Sequence, residues 1–164
     1  YLCKYPDLKY MFGPVSISQS YPDAAKDLLV CFYGQQFGAQ QMLAEAKRPY
    51  LFQAAEIYRL ASSIFCEDYR SAFAQLKHEL AELGVSVPTL YKQYTELCDD
   101  GGVQFLAFNV DADFGDCVDG LIVVEIDKIK PAKRDRYMTP LHAVTPSISQ
   151  MKSAEIPYTM RDTA

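Results

Sequence analysis

The chain has 164 residues, 49% hydrophobic and 23% charged, with a net charge of −5; this suits one globular domain with its own core and argues against nucleic acid as a general partner. No apolar run reaches the roughly 18–20 residues needed to span a bilayer. Cysteines 3, 31, 66, 98 and 117 form no CxxC, and only His78 and His142 accompany them, so the composition argues against a zinc site and for reduced thiols packed as small hydrophobes in a cytoplasmic protein.

The first residue, Tyr1, follows no methionine and no signal-peptide pattern, which reads as a cut inside a longer protein. Tyr10 to Ser18 is rich in β-formers and predicts a strand bent at Gly13-Pro14. Ser20-Tyr21-Pro22-Asp23 opens a helix that buries Ala25, Leu28, Leu29 and Phe32 and ends near Gly38. Residues 39–49 are polar and break at Lys47-Arg48-Pro49. Leu51 to Phe65 carries one apolar stripe of helical period. Tyr69, Phe73, Leu76, Leu80 and Leu83 predict a second amphipathic helix stopping at Gly84. A short helix with Leu90, Tyr91, Tyr94 and Leu97 leads to the turn at Asp99-Asp100-Gly101-Gly102. Val103 to Val110 and Val118 to Ile126 are nearly continuous apolar runs, the pattern of strands covered on both faces. From 138 to 164 the composition turns to Thr, Pro, Ser and Met without periodicity, a tail or extended arm. The order implies an α/β layer on a partly antiparallel sheet.

Few stretches carry chemistry. Asn109 to Asp116 invites a calcium-loop reading, which fails because Phe114 and Gly120 stand where an EF-hand needs Gly and Glu. Asp111, Asp113, Asp116 and Asp119 are then either turn formers or carboxylates facing a cationic amine. Lys128, Lys130, Lys133, Arg134 and Arg136 form either a solvated strand exit or a contact for an acidic carrier protein or anionic lipid. No H-x-x-x-x-D, G-x-S-x-G, P-loop or G-x-G-x-x-G occurs, so glycerolipid O-acyltransferase, serine hydrolase, kinase and Rossmann readings are dropped.

The segments KYMFGPVSIS (9–18), PTLYKQYTELC (88–98), GGVQFLAFNVDADFGDCVDGLIVVEIDKI (101–129) and KPAKRDRY (130–137) together resemble the C-terminal half of the GNAT-type long-chain N-acyltransferases. That group contains the ornithine N-acyltransferases of ornithine-lipid synthesis, often labelled hemolysins, and is distantly related to the acyl-homoserine-lactone synthases. The resemblance spans roughly residues 1–137. It implies a GNAT-like mixed sheet with flanking helices, incomplete at its N-terminal side because the strand and helix that supply much of the acyl-donor site are absent. It also implies transfer of a long acyl chain from acyl carrier protein or acyl-coenzyme A to an ornithine-like amine, with no tightly bound cofactor and no metal.

By the same resemblance, the strand over 10–18 is one of the splayed pair along which the thioester lies. Ser16 and Ser18 at its end either face that site or satisfy local backbone groups. Tyr33 either protonates the leaving thiolate or packs in the core. The acidic loop carrying Asp111, Asp113, Asp116 and Asp119 is the amine-facing element. Membrane contact would be peripheral, on the inner face, and an open sheet edge would favour a homodimer. The rival expectation is a non-catalytic accessory module packed against a fused lysophospholipid acyltransferase domain or a partner chain.

Overall fold

The computed structural model describes residues 7–53, 59, 61 and 68–138. Most of the helix expected over 51–65, and the tail expected beyond 138, lie outside these. The described elements run β1 (Tyr10–Ile17), α1 (Asp23–Phe37), α2 (Tyr69–Glu82), α3 (Thr89–Thr95), β2 (Val103–Asp111), β3 (Cys117–Glu125) and α4 (Pro131–Met138). The three strands form one sheet in the order β1-β3-β2. Both pairings are antiparallel, so the described sheet is antiparallel throughout rather than mixed. Among the described residues the single parallel contact is an isolated bridge between Gly38 and Phe105.

Alternation along the strands separates two faces. Val15 and Ile17 of β1, Val118, Ile122 and Val124 of β3, and Val103 and Phe105 of β2 are all buried. They pack with Leu28, Leu29, Phe32 and Tyr33 of α1, Leu76 and Leu80 of α2 and Tyr91 of α3 in one core. Each such side chain, fully buried, contributes about 1.5–3 kcal/mol by leaving water. The opposite face is a different surface. Tyr10 and Phe12 are 57% and 79% exposed there, and alternate residues of β3 are only half-buried. The expectation of strands covered on both faces is therefore corrected among the described residues: continuous apolar runs line one packed face and one open face.

The two sheet edges also differ. The outer edge of β2 is held by the segment after α1, through Ala39 N to Phe105 O (2.9 Å), Tyr50 N to Phe108 O (3.0 Å) and Val110 N to Arg48 O (2.8 Å). Asp27, fully buried on α1, fastens the same segment by accepting from Tyr50 Oη (2.7 Å) and Gln53 N (3.1 Å). A buried carboxylate needs such donors. Among the described strands none pairs with the outer edge of β1, where Pro14 costs no ladder bond.

The helix α4 was not expected from the sequence. PAKRDRYM has no apolar stripe, so periodicity is silent, and only Pro131 at the first helical position marks its start.

Candidate functional site

The end of β1 and the β2–β3 hairpin bring polar side chains together on the open face. Ser16 stands opposite Asp119 in the β1–β3 register, and its Oγ donates to Asp119 Oδ1 at 2.6 Å. Cys117, two residues earlier on the same strand and so on the same face, donates from Sγ to that oxygen at 3.4 Å. Among the described residues both hydrogen bonds to the Asp119 carboxylate fall on Oδ1, which leaves Oδ2 for another donor. Burial, reinforced by the Asp119 carboxylate, pushes the Cys117 thiol up, so it serves as a donor and not as a thiolate.

Across the hairpin, Asn109 faces Asp119 and Asp111 faces Cys117. Asn109 Oδ1 accepts from Arg48 N at 2.8 Å, which ties the covering segment to this corner. Asp111 Oδ1 accepts from the backbone N–H groups of Asp113 (3.0 Å) and Phe114 (3.2 Å), the local bond that starts such turns. The turn closes through Gly115 and Asp116, both in the left-handed region at φ 67 and 53, which glycine and aspartate tolerate best. The four aspartates thus divide. Asp113 and Asp116 are exposed turn residues, Asp111 caps the turn, and Asp119 belongs to the sheet-face cluster.

The other expected residues lie elsewhere. Ser18 is beyond the strand and bonds within its own turn, Oγ to Ser20 Oγ at 2.9 Å, while Ser20 N donates to it at 3.2 Å. Tyr33 is fully buried on the packed face, its ring 4.9 Å from Tyr91, 5.0 Å from Phe32 and 5.3 Å from Phe105. Among the described residues its hydroxyl has no hydrogen-bond partner, and burial pushes its pKa far up. The sheet stands between Tyr33 and the Ser16–Asp119 pair, so the geometry supports packing for Tyr33.

The basic exit is not a uniform cationic face either. Lys128 pairs with Glu125 at 2.9 Å, which raises its pKa. Arg134 Nη2 donates to Ile126 O at 2.7 Å and approaches Asp127 at 3.8 Å. Lys130 donates to Glu96 O at 3.4 Å. Lys133 and Arg136 lie on α4, half-buried and exposed respectively. Among the described residues no cluster suits a metal ion, and no helix is long and apolar enough to cross a membrane.

Sequence reasoning placed Ser16 and Asp119 among candidates but missed Cys117 as their companion. The available signal was the alternation Cys117-x-Asp119 on a strand, which puts both side chains on one face.

With this geometry in view, two curated relatives bear on the chain. It is 25% identical over 134 residues to a protein of Bacteroides thetaiotaomicron named glycine N(alpha)-acyltransferase, an alignment covering 81% of this chain and 39% of the relative. It is 24% identical over 134 residues to a protein of the same name from Phocaeicola vulgatus, covering 81% of this chain and 40% of the relative. The chain thus resembles named acyltransferases and spans about two fifths of their length. No protein-family profile matches it, and no solved structure does.

Proposed function

We propose that this chain forms part of an N-acyltransferase that moves an acyl group from a thioester to a small amine. The Ser16–Asp119–Cys117 cluster on the open sheet face carries the reading. Its support is twofold: the relatives are named for acyl transfer to glycine, and Asp119 Oδ2 is an acceptor left for an ammonium. Ser16 and Cys117 hold the carboxylate from one side, so its other oxygen has a fixed direction.

Asp119 takes a proton from the arriving ammonium, and the neutral nitrogen attacks the thioester carbonyl. The carbonyl oxygen collects the charge and backbone N–H groups stabilise it. The C–S bond then breaks as the N–C bond is completed; the departing sulfur takes the second proton that nitrogen sheds on becoming an amide, and Asp119 passes the first to water. No covalent enzyme intermediate arises, and Tyr33 takes no part. The donor in this reading is a long acyl chain on acyl carrier protein or coenzyme A, with Lys133 and Arg136 meeting an acidic carrier or an anionic membrane surface.

Replacing Asp119 by Asn in the intact protein tests this. The amine KM should rise roughly tenfold or more, the value of a charged hydrogen bond, while the folded circular-dichroism spectrum is kept. Unaltered KM and kcat would sink the catalytic role of the cluster. That result would support the second reading, in which this chain is an accessory module beside the catalytic part.

A further inference from the structure

Asp119 has neighbours on both sides of the open face. Ser16 stands opposite it on β1 and Asn109 opposite it on β2, so the three side chains form one row across the sheet, with cross-strand Cβ atoms about 5 Å apart. Beyond Asn109 the row ends on Pro49 of the covering segment, which bridges to it. Asn109 and Asp119 are both half-buried, so a ligand on this face can reach them.

The orientation of the Asn109 amide follows from its partner. Arg48 N is a donor, so the atom 2.8 Å from it is the amide oxygen, and the nitrogen is the end left over. Arg48 is itself held in place. Val110 N donates to Arg48 O (2.8 Å) and Tyr50 N to Phe108 O (3.0 Å), which brackets Asn109 on both sides, while buried Asp27 anchors Tyr50 Oη at 2.7 Å. Among the described residues Asn109 Nδ2 has no acceptor and Asp119 Oδ2 has no donor. A donor and an acceptor thus occupy adjacent positions of the row without bonding each other. A carbon that carries both an oxygen and a nitrogen would satisfy the two together.

From this row we infer that Asn109 is a further catalytic residue, its side-chain N–H donating to the acyl carbonyl oxygen while Asp119 Oδ2 holds the amine. The inference rests on the acyl-transfer reading above and adds a side-chain donor to the backbone N–H groups. As nitrogen attacks, the π pair of the carbonyl moves onto oxygen, and the bond from Asn109 strengthens because its acceptor becomes charged. When the pair returns, the C–S bond breaks and sulfur leaves with the second proton of nitrogen. Asn109 neither gains nor loses a proton. A lysine or arginine in its place would pair with Asp119 and fill Oδ2, whereas a neutral amide leaves that oxygen to the substrate.

The intact protein, assayed with decanoyl-coenzyme A and glycine, tests this through two substitutions with opposite side effects. Asn109→Asp keeps an acceptor for Arg48 N, and Asn109→Leu adds no charge; both remove the donor. Each should lower kcat roughly a hundredfold without raising the amine KM, the parameter that Asp119→Asn raises. With a dithioester donor, whose sulfur is a poor hydrogen-bond acceptor, the gap between wild type and Asn109→Asp should narrow. A merely structural role would leave that gap unchanged. If Asn109→Leu fails to fold, Asn109→Asp and the dithioester comparison decide. Wild-type kcat in folded Asn109→Asp, with transfer still impaired by Asp119→Asn, would overturn the inference and leave the acyl-transfer reading standing. Indifference to all three substitutions, or no transfer by the wild type, would overturn both.

Discussion

At Gly120 the packed face of the sheet leaves no space for a methyl group. A β-carbon there would stand 2.7 Å from Phe105 Cε1 and 3.0 Å from Tyr91 Oη. Neither ring can retreat freely, because the two are stacked at 5.4 Å and Tyr91 Oη donates to Val15 O at 3.0 Å. Gly120→Ala should therefore cost about 1–3 kcal/mol, seen as a lower midpoint in urea unfolding. Tyr33 predicts the reverse sign. Its hydroxyl is buried without a partner, so Tyr33→Phe removes an unsatisfied group and should leave the midpoint equal or higher. If the intact protein performs the acyl transfer proposed above, its rate should be unchanged in this variant. A large drop in kcat would instead restore Tyr33 as the acid.

Among the elements, α2 shows a dependence on pH whose sign follows from its cap. Asp68 accepts from Arg70 N (2.9 Å) and Ser71 N (3.2 Å), and hydrogen bonds from Ser71, then Arg70, hold its carboxyl below the usual range. The folded pKa is thus below the unfolded one. The contribution of this cap is fully present above the ordinary carboxylate pKa and is lost as pH falls through the folded value. Asp68→Ala should lower the thermal midpoint at neutral pH, and the two proteins should converge in acid. A constant difference across that range would exclude the carboxylate as the cause. The helix itself was legible from Tyr69, Phe73, Leu76 and Leu80 at four-three-four spacing, and β2 and β3 from their apolar runs. The open face of β1 was not, since an apolar strand on an edge reads like one inside a sheet. Nor was the contact between Ser16 and Asp119, which joins residues 103 apart in sequence and depends on a register that no local pattern records.

For the whole molecule, Phe12 is exposed on β1, an edge strand among the described strands, and such a residue would favour self-association. Phe12→Lys should keep the unfolding midpoint and reduce concentration-dependent light scattering; scattering that persists would assign association to another surface. The charge of the molecule is also uneven, with a net −5 overall and Lys128, Lys130, Lys133, Arg134 and Arg136 at one exit. If an acidic carrier docks there, Lys133→Glu should weaken association in the intact protein. The wild-type attraction should also fade as salt shortens screening from about 10 Å at 0.1 M to about 3 Å at 1 M. Arg134 is the poorer probe, because its bond to Ile126 O mixes folding with docking. Binding indifferent to both salt and Lys133→Glu would return the exit to a solvated surface.

The irregularity in β2 has a consequence for insertions and deletions. The register passes from Phe105 opposite Ile122 to Ala107 opposite Leu121, so Leu106 is the extra residue of a bulge. Phe105 and Phe108 share the packed face, their rings stacked at 5.3 Å, although a regular strand would send residues three apart to opposite sides. Removing Leu106 would leave every later side chain of β2 on its present face. The same deletion would shorten by about 3.3 Å the distance between Phe105 O and Phe108 O, two of the points where the segment over 39–50 is fastened. Homologous chains that lack the bulge should therefore carry a shorter connection there, so that two stretches more than 50 residues apart change length together.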